Sequence, residues 1–367
     1  MARRGHEVSL ICPWNAKNGE VREGVTLRTF PRANSRMMRP FLIPWGLGKR
    51  LIPLLREAEI IHFHDLDILP LMAGLAPFKR VVYDVHENYP DEMLVRQWIP
   101  QPLRRPLYHG VCFVQAGLSR IVHNAVFVIP EIGKHFPDKV LRTTIVRNYA
   151  TLDLLQVCSD DYLARRDTVV FTGSNYESNG TLLFLEIAAR FKARHSHLDF
   201  LMTDRWSDSS IRERSLAFIR THGLTNVTIA PNLPPHRIME YLNCATIGIA
   251  PGLRETKHIH ALPTKLFEYM AAGLPIVSSD LPNETHLARE TGAVLLCKPE
   301  EPEAFVSAIE KLLRNREYAY ECGQKGQHAF RDRFCWESQI ENIEAFYRDI
   351  LVAKNRSEEP EINQAGT

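Results

Sequence analysis

A chain of 367 residues is too long for one ordinary core and suits two domains. Its 45% hydrophobic and 24% charged residues exclude a disordered or fibrous chain, and a net charge of +2 gives no overall case for nucleic acid. Cysteines at 12, 112, 158, 244, 297, 322 and 335, never in a CxxC pair, argue for a reducing cytosol and against a disulfide framework or a zinc site.

In chain order, MARRGHEVSLIC is too short and too charged for a signal peptide. No apolar run approaches the roughly 20 residues of a membrane helix, so the sequence reads as a soluble cytoplasmic protein. From Arg28 to Arg56 the chain carries Arg28, Arg32, Arg36, Arg39, Lys49, Arg50 and Arg56 without an acid. Phe30, Met37, Met38, Phe41, Leu42, Ile43, Trp45 and Leu47 are interleaved with them. That mixture suits docking on an anionic membrane surface, and equally a flank whose apolar residues pack inward.

Continuous β-branched runs follow: VVYDV (81–85), TIVRN (144–148), TVVFTG (168–173), LDFLMT (198–203), NVTIA (226–230), TIGIA (246–250), PIVSS (275–279) and AVLLC (293–297). They read as strands covered on both faces. Helical patterns at 181–194, 236–243 and 303–314 alternate with them, which means doubly wound α/β units with parallel sheets. Residues 149–166 lack a strand period and read as the linker between a domain over 1–148 and another over 167–333. A last helix to 355 carries an apolar stripe at Ile340, Ile343, Phe346, Tyr347 and Ile350, and the polar residues 356–367 read as a disordered tail.

The stretch PTKLFEYMAAGLPIVSSD (263–280) holds the sharpest signal. Phe267, Met270, Ala271 and Leu274 form the buried stripe of a short helix that Gly273 and Pro275 terminate. Pro263 marks its start and Thr264 is the candidate N-cap. Lys265 and Glu268 are either a surface pair at i, i+3, or a nucleotide site. In the second case the helix start meets a phosphate and the carboxylate accepts two ribose hydroxyls.

This cassette resembles that of retaining glycosyltransferases of the GT-B fold, family 4. VVYDVHENYP (81–90), IIHFHDLDILP (60–70), FTGSNYESNG (171–180) and FCWESQIENIEAFYRDIL (334–351) resemble other parts of that family. The resemblance implies two Rossmann-like domains facing across a cleft, with the helix over 334–355 crossing back to the first. It implies Glu268 on the ribose of a nucleoside-diphosphate sugar, and Lys265, Gly173, Ser174, Thr264, Leu266 and Arg254 around the donor. His86 would be the catalytic histidine at the transferred sugar or the acceptor hydroxyl. No cofactor and no metal are expected. His62 and His64 point the same way on one strand, but no third ligand stands at a convincing spacing, so they read as structural. Asp65-Leu66-Asp67 reads as a loop feature.

Three positions depart from the family pattern. Asn179 stands where a Lys or Arg precedes the second glycine, and Lys265, Arg254 or Lys257 would have to replace that cation, Lys265 first. His260 stands where many relatives carry a first acid. The usual first strand of the N-terminal domain would lie upstream of Met1. The expected activity is transfer of a sugar to a glycan or lipid-linked acceptor in cell-surface polysaccharide or lipopolysaccharide assembly, in the cytoplasm or peripheral on the membrane. The alternatives are a catalytically inactive binding partner in a glycan-assembly complex and a sugar-nucleotide epimerase.

Overall fold

The computed structural model describes all residues except 15–16, 32–38, 96–98, 137–140, 158–160, 195–196, 256–258, 260–261 and 359–367. Side chains at 39–42, 95 and 354–358 also lie outside the description, so Arg32, Arg36, Met37, Met38, Arg39, Phe41, Leu42, Lys257, His260 and most of the expected tail are not placed. The chain divides into two compact units, Met1–Arg147 together with the stretch from Gln339, and Asn148–Ser338.

The first unit carries β1 (Val8–Pro13), β2 (Val21–Arg22) and β3 (Val25–Phe30) in one sheet, order β1-β3-β2. A second sheet is all parallel, with β4 (Ile60–His64), β5 (Arg80–Val85), β6 (Asn124–Phe127) and β7 (Arg142–Ile145) side by side. Its core is aliphatic and aromatic, with Phe63 and Tyr83 stacked at 4.8 Å across β4 and β5. Of the basic flank, Leu47 and Leu51 are buried and the Arg50 guanidinium donates to the Thr29 carbonyl at 2.9 Å, while Trp45 and Lys49 are exposed. The last helix, Trp336–Glu358, runs past the expected 355. Beyond Gln339 it belongs to the first unit, burying Ile343, Phe346 and Ile350.

The second unit adds β8 (Thr168–Phe171), β9 (Asp199–Thr203), β10 (Val227–Ala230), β11 (Ile247–Ala250), β12 (Ile276–Ser279) and β13 (Val294–Cys297). These six form one parallel sheet in the order β10-β9-β8-β11-β12-β13. That order reverses between β8 and β11, and in doubly wound sheets the crevice at such a switch point, outside the carboxyl ends of the strands, is where ligands bind. The described residues of the expected linker over 149–166 pack onto this unit. Leu154 and Tyr162 are buried in this unit's core, and the Tyr162 hydroxyl donates to the Thr246 carbonyl at 2.7 Å.

Candidate functional site

The helix Thr264–Ala271 lies beside the switch point. Pro263, extended at φ −64°, caps it, and Thr264 is its first residue instead of its cap, with its hydroxyl 3.5 Å from the Asn148 carbonyl. The buried stripe at Phe267, Met270, Ala271 and Leu274 is present, but Lys265, Leu266 and Tyr269 are buried as well. Leu266, expected to touch substrate, is a core residue whose N–H is already bonded to the Pro263 carbonyl at 3.0 Å. It has neither a side chain nor an N–H to offer.

Two contacts hold this helix in place. The Tyr269 hydroxyl accepts from the Thr172 N–H at 3.0 Å and bonds the Ile249 carbonyl at 3.3 Å, tying the helix to the ends of β8 and β11. Gly273 takes the left-handed turn at φ 66°. Its carbonyl occupies the space where Gly323, on the helix Arg316–Asp332, would otherwise carry a Cβ.

Lys265 and Glu268 form no ion pair with one another among the described residues, so they are not the surface pair one reading expected. The Lys265 ammonium lies 3.9 Å from the centre of the Phe171 ring, a cation–π contact. It also borders Gly173: a Cβ there would sit 3.5 Å from Lys265 Cε. Burial pushes the ammonium down to about 7, against the pull of Glu268. Glu268 is half-buried, and burial raises its carboxyl while Lys265 and Arg205 lower it.

Arg205 had no signal in the sequence. It arrives because the loop after β8 is laced to the loop after β9: the Asn175 N–H donates to the Arg205 carbonyl at 2.7 Å, and Ser207 N–H to the Asn175 carbonyl at 3.2 Å. Gly173, at φ 90°, opens the β8 loop, and Gly180, at φ 78°, closes it where any side chain would collide with the Pro251 carbonyl. Asn179 braces that loop, its amide donating to the Ser174 carbonyl at 2.8 Å. It supplies structure where a cation was expected.

A small cavity of about 20 Å³ is lined by Ser178, Asn179, Gly252, Pro263, Lys265 and Glu284 among others. Leu281 separates it from a cleft of about 390 Å³ lined by Arg254, Ile259, Asp280, Pro282 and Thr285, which is where Arg254 is found. Glu284 was also missed from sequence. It is buried in the first turn of the helix Pro282–Thr291, its Oε2 has no hydrogen-bond partner among the described residues, and burial pushes it up to about 8.

His86 belongs to a separate cluster in the first unit. Its Nε2 lies 3.0 Å from Asp84 Oδ2, and that bond raises its pKa against burial. His62 Nε2 is 2.9 Å from the same oxygen and His64 Nδ1 3.3 Å. The hydrogen bonds from His62 and His86 hold Asp84 far below the usual carboxylate range although it is buried. The third group that His62 and His64 lacked in the sequence is therefore Asp84, supplied by the neighbouring strand. Of Asp65-Leu66-Asp67, Asp65 sits in a loop at φ 72°, accepting from the Tyr89 hydroxyl at 3.2 Å, while Leu66 and Asp67 open a short 3-10 helix, Leu66–Ile68.

Residues 166–315 match the family described as Glycosyl transferases group 1, and residues 1–126 match Glycosyltransferase Family 4. The chain belongs to glycosyltransferase family 4. A D-inositol 3-phosphate glycosyltransferase of Acidothermus cellulolyticus is 28% identical to this family 4 chain over 271 residues, 70% of the chain and 58% of that relative. The chain thus spans a little over half the length of that curated relative. Sucrose-phosphate synthase of Thermosynechococcus elongatus superposes with a TM-score of 0.75 at 16% identity, over 96% of this chain and 91% of that one. HepE of Anabaena, solved in complex with UDP, gives 0.68 at 12% identity, over 89% and 87%. The two Rossmann-like units are those of the GT-B fold. No described helix is long and apolar enough to cross a membrane.

Proposed function

We propose that this chain is a retaining glycosyltransferase that moves a sugar from a nucleoside-diphosphate sugar to a hydroxyl of a glycan or lipid-linked acceptor, as in building a cell-surface polysaccharide. One observation carries the reading. Glu268 and the Lys265 ammonium are held out of bulk water at the switch point of the second unit without an ion pair between them, beside the Gly173 loop. A half-buried carboxylate suits the vicinal hydroxyls of a ribose, and a buried ammonium suits a diphosphate. Arg205 adds a second cation, while the backbone of Gly173 and Ser174 lines the phosphate side. In the first unit His86, oriented by Asp84, is assigned to the acceptor hydroxyl. As the glycosidic bond to the donor breaks, the leaving diphosphate takes the acceptor's proton on the same face, and Lys265 stabilises the charge that develops there.

A thermal-shift panel of nucleoside diphosphates tests the donor half. A ligand at 100 times its dissociation constant adds about 2.7 kcal/mol to the folded state. At least one base should produce that shift, and Glu268→Ala should lose it while melting near the parent temperature. If no nucleoside diphosphate moves the transition, the donor reading is lost. Asn179, bound to Ser174, favours a second reading, a binding module without turnover. Labelled donor decides between them: stabilisation without transfer or hydrolysis by the purified full chain selects the module.

A further inference from the structure

The first unit contains a ligand set of which the proposed sugar transfer uses only Asp84, to orient His86. His62 and His64 lie two apart on β4, and Asp84 stands opposite His64 on β5 in the parallel register, with His86 two residues on. Side chains two apart share a face, so an H-x-H on one strand and a D-x-H on the next place four chemical groups together at one end of the sheet.

Three imidazole nitrogens stand 2.9, 3.0 and 3.3 Å from the one oxygen Asp84 Oδ2. One carboxylate oxygen offers about two lone-pair directions, which the His62 and His86 bonds fill, so His64 Nδ1 lies close to Oδ2 with no hydrogen bond to it. Meanwhile Asp84 Oδ1 is buried without a hydrogen-bond partner among the described residues, on a residue only 7% exposed. The ligand atoms of His62, His64 and Asp84 all fall within 4.8 Å of one another. Around a tetrahedral zinc, with bonds of roughly 2.0–2.2 Å, ligand atoms lie roughly 3.3–3.5 Å apart, so the His64–Asp84 pair at 3.3 Å already fits and the His62–Asp84 pair at 2.9 Å needs to open by about half an ångström. His62 Nδ1 is 2.7 Å from the Tyr347 hydroxyl, which leaves Nε2 the lone pair when Nδ1–H donates to it. That is the outer partner a metal-bound histidine usually has. His64 is exposed, leaving coordination positions open on its side.

We infer that His62, His64 and Asp84 form a binding site for a first-row divalent cation of the zinc type, with Tyr347 as its outer support. Two imidazoles and one carboxylate suit such borderline ions better than calcium or magnesium. Occupancy draws the Asp84 oxygen away from His86. Where His86 serves the acceptor, as proposed above, the ion is an inhibitor; the binding site itself stands or falls without that reading.

The test is calorimetric titration of ZnCl2 into the tag-free full chain, stripped of metal with a chelator and desalted. One ion per chain should bind saturably in the micromolar range or tighter, and Co²⁺ in its place should give visible bands of a low-symmetry site. His64→Ala, an exposed substitution, should melt as the parent does and lose the ion. Tyr347→Phe should weaken binding about 10- to 100-fold. Absence of saturable binding below millimolar zinc overturns the proposal, as does an isotherm that His64→Ala leaves unchanged.

Discussion

The two units treat charge at the ends of parallel strands in opposite ways. In the first, Asp84 gathers His62, His64 and His86, and the charges answer one another inside the protein. In the second, Lys265 and Glu268 lie near each other without an ion pair, and burial pushes both toward their neutral forms. A carboxylate and an ammonium desolvated in this way cost stability unless something else supplies the missing partners. The first arrangement pairs its charges within the fold and leaves Asp84 Oδ1 without a hydrogen-bond partner among the described residues, whereas the second, on the proposed reading, is shaped by what it is to receive.

Removing charge should therefore have opposite consequences in the two places. Lys265→Met should weaken nucleoside diphosphate binding at least 100-fold by calorimetry while raising stability by about 1–3 kcal/mol at pH 6. The sign follows from the lowered pKa: the cost of burying the ammonium is fully present below about 7 and is relieved as pH rises toward the ordinary lysine range. The gain in the variant should accordingly shrink by pH 9. In the parent, nucleotide affinity should fall by up to about tenfold per pH unit above 7, with proton uptake visible in the buffer dependence of the binding enthalpy. A flat profile would mean that Lys265 does not meet the phosphates.

In the first unit the same kind of change should be destabilising. Asp84→Asn takes the anion from three imidazoles and should cost about 2–3 kcal/mol of stability in thermal unfolding, with nucleotide binding in the second unit unaltered. A pH-dependent effect is expected at Glu284, whose raised pKa implies stability that is full below the ordinary glutamate value and is lost as pH rises to about 8. Glu284→Gln should raise the melting temperature at pH 8.5 by several degrees and change it little at pH 5.

Much of the second unit was legible because its strands are buried on both faces and read as continuous apolar runs, from Thr168–Phe171 to Val294–Cys297. The first unit was harder. β6, Asn124–Phe127, has only four residues and follows directly on a left-handed His123 that ends the preceding helix. That helix, Gln101–Val122, holds Pro102, Pro106 and two glycines, turns Gln115 and Ser119 inward, and leaves Leu103, Leu107 and Phe113 exposed. Its amphipathic pattern therefore runs against the usual rule. β3, Val25–Phe30, runs into the start of the basic stretch at Arg28, where charge masks its strand pattern.

The same contrast holds for the site residues. Lys265 and Glu268 sit within one short cassette, so local spacing exposed them. Arg205 and Glu284 meet the cassette only through loop lacing and cavity packing, which leave no periodic trace. Asp84 joins His62 and His64 through the register of β4 on β5, a quantity that neither strand encodes alone.

The contact between Gly273 and Gly323 has a consequence for reading loss-of-function data. Even an alanine at 323 has to lever the Lys265–Glu268 helix off its seat, dismantling the proposed donor pocket without removing a single polar atom from it. In a mutational scan such a glycine would score like a chemical participant, although its whole contribution is to be thin.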